Sequence, residues 1–265
     1  MVVCDVGQGD AILLIKGSTQ VLVDGGPSEA KILSCLGEQM PFWDQQIELI
    51  VMTHGDSDHS SGLVVVLERY KVMQFVTGDG VENTDTLRRL ARTIEERRVG
   101  VEYAQQGDVV RVLGRDSVEL KVLWPPDIDL QYVAMWRGGK EIINDKQILG
   151  ASAKERNLNE RSVVLHILED NNSILLMGDV GYQAEKEIIE KGLIGQVDYL
   201  KVGHHGSKYS TSQELLTRVR PKTAIISVGE KNRYGHPTEE TLVRLRSVGA
   251  EVRRTDTEGT LVFGN

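Results

Sequence analysis

The sequence predicts a layered α/β fold, two β-sheets face to face with helices outside. Short strand-like runs recur along all 265 residues, amphipathic stretches fall between them, and no Pro/Gly-rich or charged linker divides the chain. At roughly 150 residues per domain the length allows one domain or two. The missing linker favours a single domain over 1–265, with a loop or partly helical insertion at 125–159 where periodicity is weak. A hydrophobic content of 40%, with 27 Gly and only 6 Pro, excludes disorder and collagen. The net charge of -8 argues against unspecific attraction to a polyanion over the whole surface.

Residues 2–6, 11–15 and 20–23 alternate around Gly-rich turns and read as a small antiparallel sheet. The continuous apolar run 47–52 is of buried-strand type, delivers His54 at its end, and is followed by a helix over 62–70. A strand over 72–76 precedes a helix over 86–98, whose Leu87, Leu90, Ala91 and Ile94 share one face. Runs 109–113 and 118–123 suggest a hairpin, as do 162–168 and 173–177, before a helix near 183–191. Strand-like 197–202 and 223–228 alternate with helices over 212–219 and 238–248, and 251–254 with 260–263 reads as a closing hairpin.

The chemistry concentrates in His54-Gly55-Asp56-Ser57-Asp58-His59, two imidazoles and two carboxylates directly behind a buried strand. A mixed nitrogen and oxygen set suits Zn, Mn or Fe, whereas an all-oxygen shell points to Mg or Ca. Asp24, Asp179, His205 and His236 each follow a strand-like run, and strand ends gathered at one rim of a sheet can converge. The adjacent His204 and His205 cannot point the same way from an extended backbone, so they are expected to do different jobs. Ser57 lacks a G-x-S-x-G elbow, and the GQGD turn at Gly7 lacks the lysine of a nucleotide loop, which leaves covalent serine chemistry and ATP use unsupported. Cys4 and Cys35 are too few for a disulfide framework and fit a reducing compartment. No apolar run reaches the roughly 18 residues of a spanning helix and no signal peptide opens the chain, so the expectation is a soluble protein.

The ordered stretches DVGQGDAILL, VLVDGG, THGDSDH, NERSVVLHI, LLMGD, VGHHGSKYS and SVGEKNRYGHP resemble the metallo-β-lactamase fold superfamily, in particular the nuclease-like domain of the ComEC competence DNA-uptake proteins. The resemblance runs from Val3 to Gly259 and implies a four-layer αββα metallo-β-lactamase-like sandwich with a two-metal cleft. It implies a metal-dependent hydrolase that cleaves phosphodiester bonds through a metal-activated water, a DNase on DNA, single strands included.

One ion would take His54 and Asp56 with Asn159, the other Asp58, His59 and His236, with Asp179 bridging and Asp24 orienting a ligand or the water. His205 would serve the leaving oxygen, His204 the strand end, and Ser207, Lys208 and Ser210 would donate to substrate. Aspartate at 56, where the wider superfamily has histidine, hardens the site, so Mn and Zn lead and Mg remains open. Asn159 stands where many relatives supply histidine. The transport channel of ComEC-type proteins is absent here, which leaves two origins: the soluble domain of a membrane-channel parent, or a free-standing cytoplasmic protein.

Arginines 88, 89, 92, 97 and 98, and Lys201, Lys208, Arg218, Arg220 and Lys222, are candidate phosphate contacts, with Tyr132 and Trp136 as stacking surfaces. Two competing readings are a hydrolase of a small phosphoester, cyclic nucleotide or thioester, and a non-catalytic nucleic-acid-binding module.

Overall fold

A computed structural model describes residues 1–81, 84–112, 116–129, 157–169 and 171–264. Most of the expected insertion, with Tyr132 and Trp136, lies outside them. The first sheet contains β1 (Val2–Val3), β2 (Ile12–Lys16), β3 (Thr19–Val23), β4 (Gln46–Met52), β5 (Lys71–Thr77) and β6 (Gly100–Tyr103). The second contains β7 (Val109–Val112), β8 (Val118–Trp124), β9 (Val164–Glu169), β10 (Asn172–Leu176), β11 (Tyr199–Lys201), β12 (Thr223–Ile226) and β13 (Glu251–Arg254). A last strand, β14 (Leu261–Val262), returns to the first sheet beside β1, so the orders are β14-β1-β2-β3-β4-β5-β6 and β13-β12-β11-β10-β9-β8-β7.

Three apolar cores account for four layers. Alternate residues of one strand feed different cores: Leu49 and Val51 of β4 face the second sheet, while Ile47, Ile50 and Met52 face the helices. In β10, Ile174 and Leu176 point between the sheets and Leu175 points to the far side. A strand buried on both faces reads as an unbroken apolar run, which is why 47–52 lacks alternation. On the outside of the first sheet lie α1 (Glu29–Gln39), α2 (Ser57–Arg69) and α3 (Asp85–Arg97). Outside the second lie α4 (Tyr182–Glu190), α5 (Gln213–Val219) and α6 (Glu239–Ser247); the one-turn α7 (Thr255–Glu258) follows β13.

The structure corrects three expectations. The closing segments are no hairpin: β13 pairs with β12 in parallel, the chain turns through α7 and Gly259, and Val262 pairs with Val2 in the other sheet. Helix α2 begins at Ser57 rather than 62, with Asp56 at its N-cap, so Asp58 and His59 sit in its first turn.

Third, Cys4 and Cys35 form a disulfide. Ile32, Cys35 and Leu36 fall at helical spacing behind the Ser28 cap, and α1, an element beyond those expected, carries Cys35 onto the β1 end of the sheet. Closing a loop with a sequence separation of 31 restricts the unfolded chain by about 4 kcal/mol. Cys4→Ser or Cys35→Ser is therefore expected to lower urea stability by about that amount, and dithiothreitol to do the same to the parent chain. Equal midpoints in all samples would contradict the bond.

Candidate metal centre

The site forms where strands run parallel. β3 to β6 and β10 to β13 pair in parallel, so their carboxyl ends open on one rim of each sheet. Asp24 follows β3, His54 follows β4, Asp179 follows β10, and His204 and His205 follow β11. Ligand atoms of Asp58, His59, Asp179 and His205 lie within 4.8 Å of one another, three of these residues being buried. Asp179 stands in the middle: Oδ1 is 3.4 Å from His59 Nε2, and Oδ2 is 3.3 Å from His205 Nε2 and 3.8 Å from His204 Nε2. Asp58 Oδ2 closes the group 3.5 Å from His205 Nε2.

Each inner imidazole is fixed from behind. His59 Nδ1 donates to Asp24 Oδ2 at 2.8 Å, and Asp24 also accepts from the Thr53 N–H and hydroxyl, both at 2.7 Å. Asp24 holds a left-handed backbone, φ 60°, a conformation aspartate tolerates better than most residues. His205 Nδ1 donates to the Ser227 carbonyl at 2.9 Å and lies 3.3 Å from Asp10 Oδ1. Both rings thus turn Nε2 toward the cleft.

Buried atoms without partners test whether these residues suit a metal. His54 Nε2, His59 Nε2, His205 Nε2 and Asp179 Oδ1 have no hydrogen-bond partner. Unpaired buried polar groups cost about 1–3 kcal/mol each, so four at one cleft are a poor solution for a bare protein and a natural one for cation ligands. The donor chemistry fits a divalent ion of the Zn, Mn or Fe type.

His54 Nε2 lies 3.6 Å from Asp56 Oδ2, whose side chain is 45% exposed, and the His54 and His59 rings are 4.2 Å apart. Asn159, in a short 3-10 turn (Asn159–Arg161), meets His204 with Nδ2 3.5 Å from Nε2. His236 is separated from Asp58 and His59 in the expected grouping: its ring neighbours are His204 at 5.6 Å and Tyr234 at 5.8 Å. His205 occupies the place beside Asp58 and His59 instead.

His204 and His205 do not lie on the expected extended backbone. The backbone is left-handed at both, φ 46° and 52°, so both rings reach the same carboxylate oxygen. Of the expected substrate donors, Ser210 spends its hydroxyl on the Gly203 and Ser207 carbonyls, and the buried Ser207 oxygen accepts from the Tyr209 N–H, so both build the turn. Lys208 is exposed, its ammonium 5.0 Å above the Tyr209 ring. Lys201 is buried and cannot meet a phosphate from solvent. Arg88 and Arg89 pair with Asp85 and with Glu29 and Glu68, which makes that helix face charge-balanced.

Asp10 was not an expected site residue, although DVGQGD placed a carboxylate on the glycine turn facing the cleft.

Burial alone would lower the His59 and His205 pKa values, but Asp179 with Asp24, and Asp179 with Asp10, hold both well above the ordinary 6.5. Burial likewise would raise Asp179, and His205 and His59 hold it well below the usual carboxylate range. These raised imidazole values stabilise the metal-free fold below about pH 6.5 and lose that contribution as pH rises through them. An ion must displace the same protons, so divalent affinity is expected to rise with pH across about 6 to 8, with proton release on binding. Calorimetry in buffers of different ionisation enthalpy checks this; pH-independent affinity with no released proton would contradict it. His236 is pushed down to about 4 by burial and by His204 and His205, and so is neutral at pH 7.

Two packed sheets, outer helices and a His/Asp cluster at the parallel strand ends define a metallo-β-lactamase-type centre. The chain belongs to the metallo-beta-lactamase superfamily, whose sequence profile matches residues 4–137, just over half its length.

Among its relatives are ComE operon protein 3 of Bacillus subtilis, 29% identical over 98% of this chain and 32% of that protein, and Recombination protein 2 of Haemophilus influenzae, 29% identical over 96% and 27%. The chain thus spans about a third or less of the length of these relatives. Among solved structures, the metallo-beta-lactamase fold protein YhfI from Bacillus subtilis superposes with a TM-score of 0.59 at 11% identity, covering 98% of both chains. That likeness concerns the fold. Among the described residues no helix is long and apolar enough to cross a membrane.

Proposed function

We propose that this chain is a metal-dependent phosphodiesterase that cleaves DNA, working as the hydrolytic part of a DNA-uptake system. The observation that carries the hydrolase reading is the convergence of four unpartnered buried ligand atoms on Asp179 and its neighbours. The DNA reading draws on relatives whose names concern competence and recombination.

Divalent ions, when bound, make a water nucleophilic near neutral pH and polarise a phosphoryl oxygen. Asp58, His59, Asp179 and His205 would hold one ion. His54 and Asp56, with His204, would hold a second, Asp179 being shared. Mn and Zn suit this set best, and Mg remains a candidate.

Asp24 keeps His59 oriented from Nδ1, whereas Asn159 meets His204 on Nε2, the nitrogen facing Asp179, and so would stand among the ligand atoms of the second ion. His236 stays neutral and so brings no imidazolium proton to the departing oxygen; its ring beside His204 offers a hydrogen bond at the cleft mouth. In this reading His205 is a metal ligand, not the expected donor to the leaving oxygen. Tyr234, 71% exposed and stacked on His236, offers a face to an unpaired base. The Cys4–Cys35 disulfide favours an oxidising compartment over the cytoplasm, which agrees with a domain that meets incoming DNA outside the cell membrane and is joined to a membrane channel in a longer parent.

The test compares cleavage of single- and double-stranded DNA and a panel of small phosphoesters at matched Mn, Zn and Mg. Metal-dependent DNA cleavage, with Tyr234→Ala raising KM on single strands about tenfold and leaving small esters unaffected, supports the reading. Cleavage of small esters alone, or DNA cleavage that survives chelator, removes it.

A further inference from the structure

One cation lies beneath the metal centre, where no solvent reaches it. Lys201, the last residue of β11, is 1% exposed, and its Nζ sits 2.7 Å from Asp10 Oδ2 while donating to the Val202 carbonyl at 2.9 Å. Burying an ammonium is costly unless it is paired, and a single carboxylate supplies the pairing. That carboxylate has a second oxygen. Asp10 Oδ1 lies 3.3 Å from His205 Nδ1 as a charge contact and has no hydrogen-bond partner.

Asp10 also has an oxygen within 4.8 Å of ligand atoms of both Asp24 and His59. It therefore sits behind both inner imidazoles, on the side away from Asp179. Two carboxylates and an imidazole so close could attract a cation of their own. Here His59 Nδ1 is engaged by Asp24, and the Lys201 ammonium supplies the positive charge at Asp10. The turn that carries Asp10 is tied to the same centre, its N–H donating to the Asp58 carbonyl at 3.2 Å and the Gly9 carbonyl accepting from Ser227 Oγ at 2.6 Å.

We propose that Lys201, acting through Asp10, is a positioning residue that holds the His205 ring with Nε2 facing Asp58 and Asp179. The proposal rests on reading the cleft as a metal centre. The Ser227 carbonyl takes the single Nδ1–H; the Asp10 oxygen, 3.3 Å from the same nitrogen, adds a charge contact that resists a swing of the ring about its left-handed backbone. Lys201 keeps that oxygen in place, Nζ lying 2.7 Å from the other oxygen of the same carboxylate. The competing view is a buried ion pair that merely staples β11 to the 7–10 turn.

The two views separate in a Mn²⁺ titration of the full chain by calorimetry, comparing the parent, Lys201→Met, Asp10→Asn and the double variant. Outer-shell partners of metal ligands are worth about 10–100-fold in affinity. Lys201→Met is expected to fall in that range because Asp10 loses the ammonium that holds it against His205, and the double variant, which lacks the same restraint, to fall as far.

In Co²⁺-loaded protein, the exchangeable Nδ1–H proton signal of His205 should shift or broaden in Lys201→Met while that of His59, held by Asp24, stays. Unchanged affinity and an unchanged His205 signal in folded Lys201→Met would overturn the proposal. Should that variant not fold, the near-isosteric Asp10→Asn decides: about tenfold weaker Mn²⁺ with a moved His205 signal supports it, and parent-like values overturn it. A parent chain that binds Mn²⁺ but leaves DNA intact removes the proposed function and spares this assignment. One that binds no divalent ion removes both.

Discussion

Asp179→Ala should lose more than about 100-fold of any metal-dependent phosphodiesterase activity, since partners one step removed from a metal ligand already cost 10–100-fold. Its two oxygens are the meeting point of three imidazoles, with Oδ1 3.4 Å from His59 Nε2 and Oδ2 at 3.3 and 3.8 Å from His205 and His204. Deleting the carboxylate removes the group these imidazoles share and leaves His59 and His205 with ring centroids 5.3 Å apart.

The same change lowers the pKa of both imidazoles, because Asp179 is the leading group that raises them. Metal-free Asp179→Ala should therefore lose most stability at acid pH, where those protons are bound, and come closer to the parent at alkaline pH. Initial rates on DNA with saturating Mn²⁺, and urea midpoints at about pH 6 and pH 9, check the two halves. Retained activity would place the chemistry elsewhere.

Gly9→Ala is expected to do comparable damage from outside the ligand set. A Cβ at Gly9 would stand 2.0 Å from the Asp58 carbonyl oxygen and 2.8 Å from Pro27 Cδ, and the backbone holds φ +145°. The Asp58 carbonyl is backbone in the first turn of α2, so relief means moving the turn that presents Asp58 and His59.

A loss of about 3 kcal/mol or more, with Mn²⁺ binding weakened beyond detection, follows from overlap with rigid backbone. Gly7→Ala is the control. It shares a positive φ, +89°, yet its Cβ meets nothing within 4 Å, so only the left-handed strain of about 1–2 kcal/mol applies and metal binding should survive. Equal midpoints and equal Mn²⁺ titrations for the two variants would refute the close-approach account.

The legible part of this protein is what local pattern controls. The continuous apolar run before His54, the alternation of 162–168 against 173–177 and the capped helix behind Thr238 all register as elements, because each is decided by residues a few positions apart. The sandwich was equally legible through its ordered motifs.

What stayed hidden depends on distant pairing. β13 and β14 read as a hairpin because nothing local records that Val262 lies against Val2. The Cys4–Cys35 bond needs α1 to carry Cys35 across the sheet.

The site divides the same way. The residues that gather at the strand ends could be named, but their grouping required backbone angles the sequence does not print. Left-handed φ at His204 and His205 puts His205 among the inner ligands and His204 at the mouth, and it leaves His236 on the outer side of His204. Lys201 was misread as a surface cation because its partner Asp10 lies on a turn 191 positions earlier in the chain.

The most direct test of the centre is a crystal structure of the Mn²⁺- or Zn²⁺-soaked chain, with anomalous differences collected at the metal edge. The account predicts a peak bonded at about 2.0–2.3 Å to His59 Nε2, His205 Nε2, Asp179 and Asp58, and a second beside His54 and Asp56. A well-folded chain whose ions bind elsewhere, or whose His59 and His205 turn Nε2 away from Asp179, would contradict it.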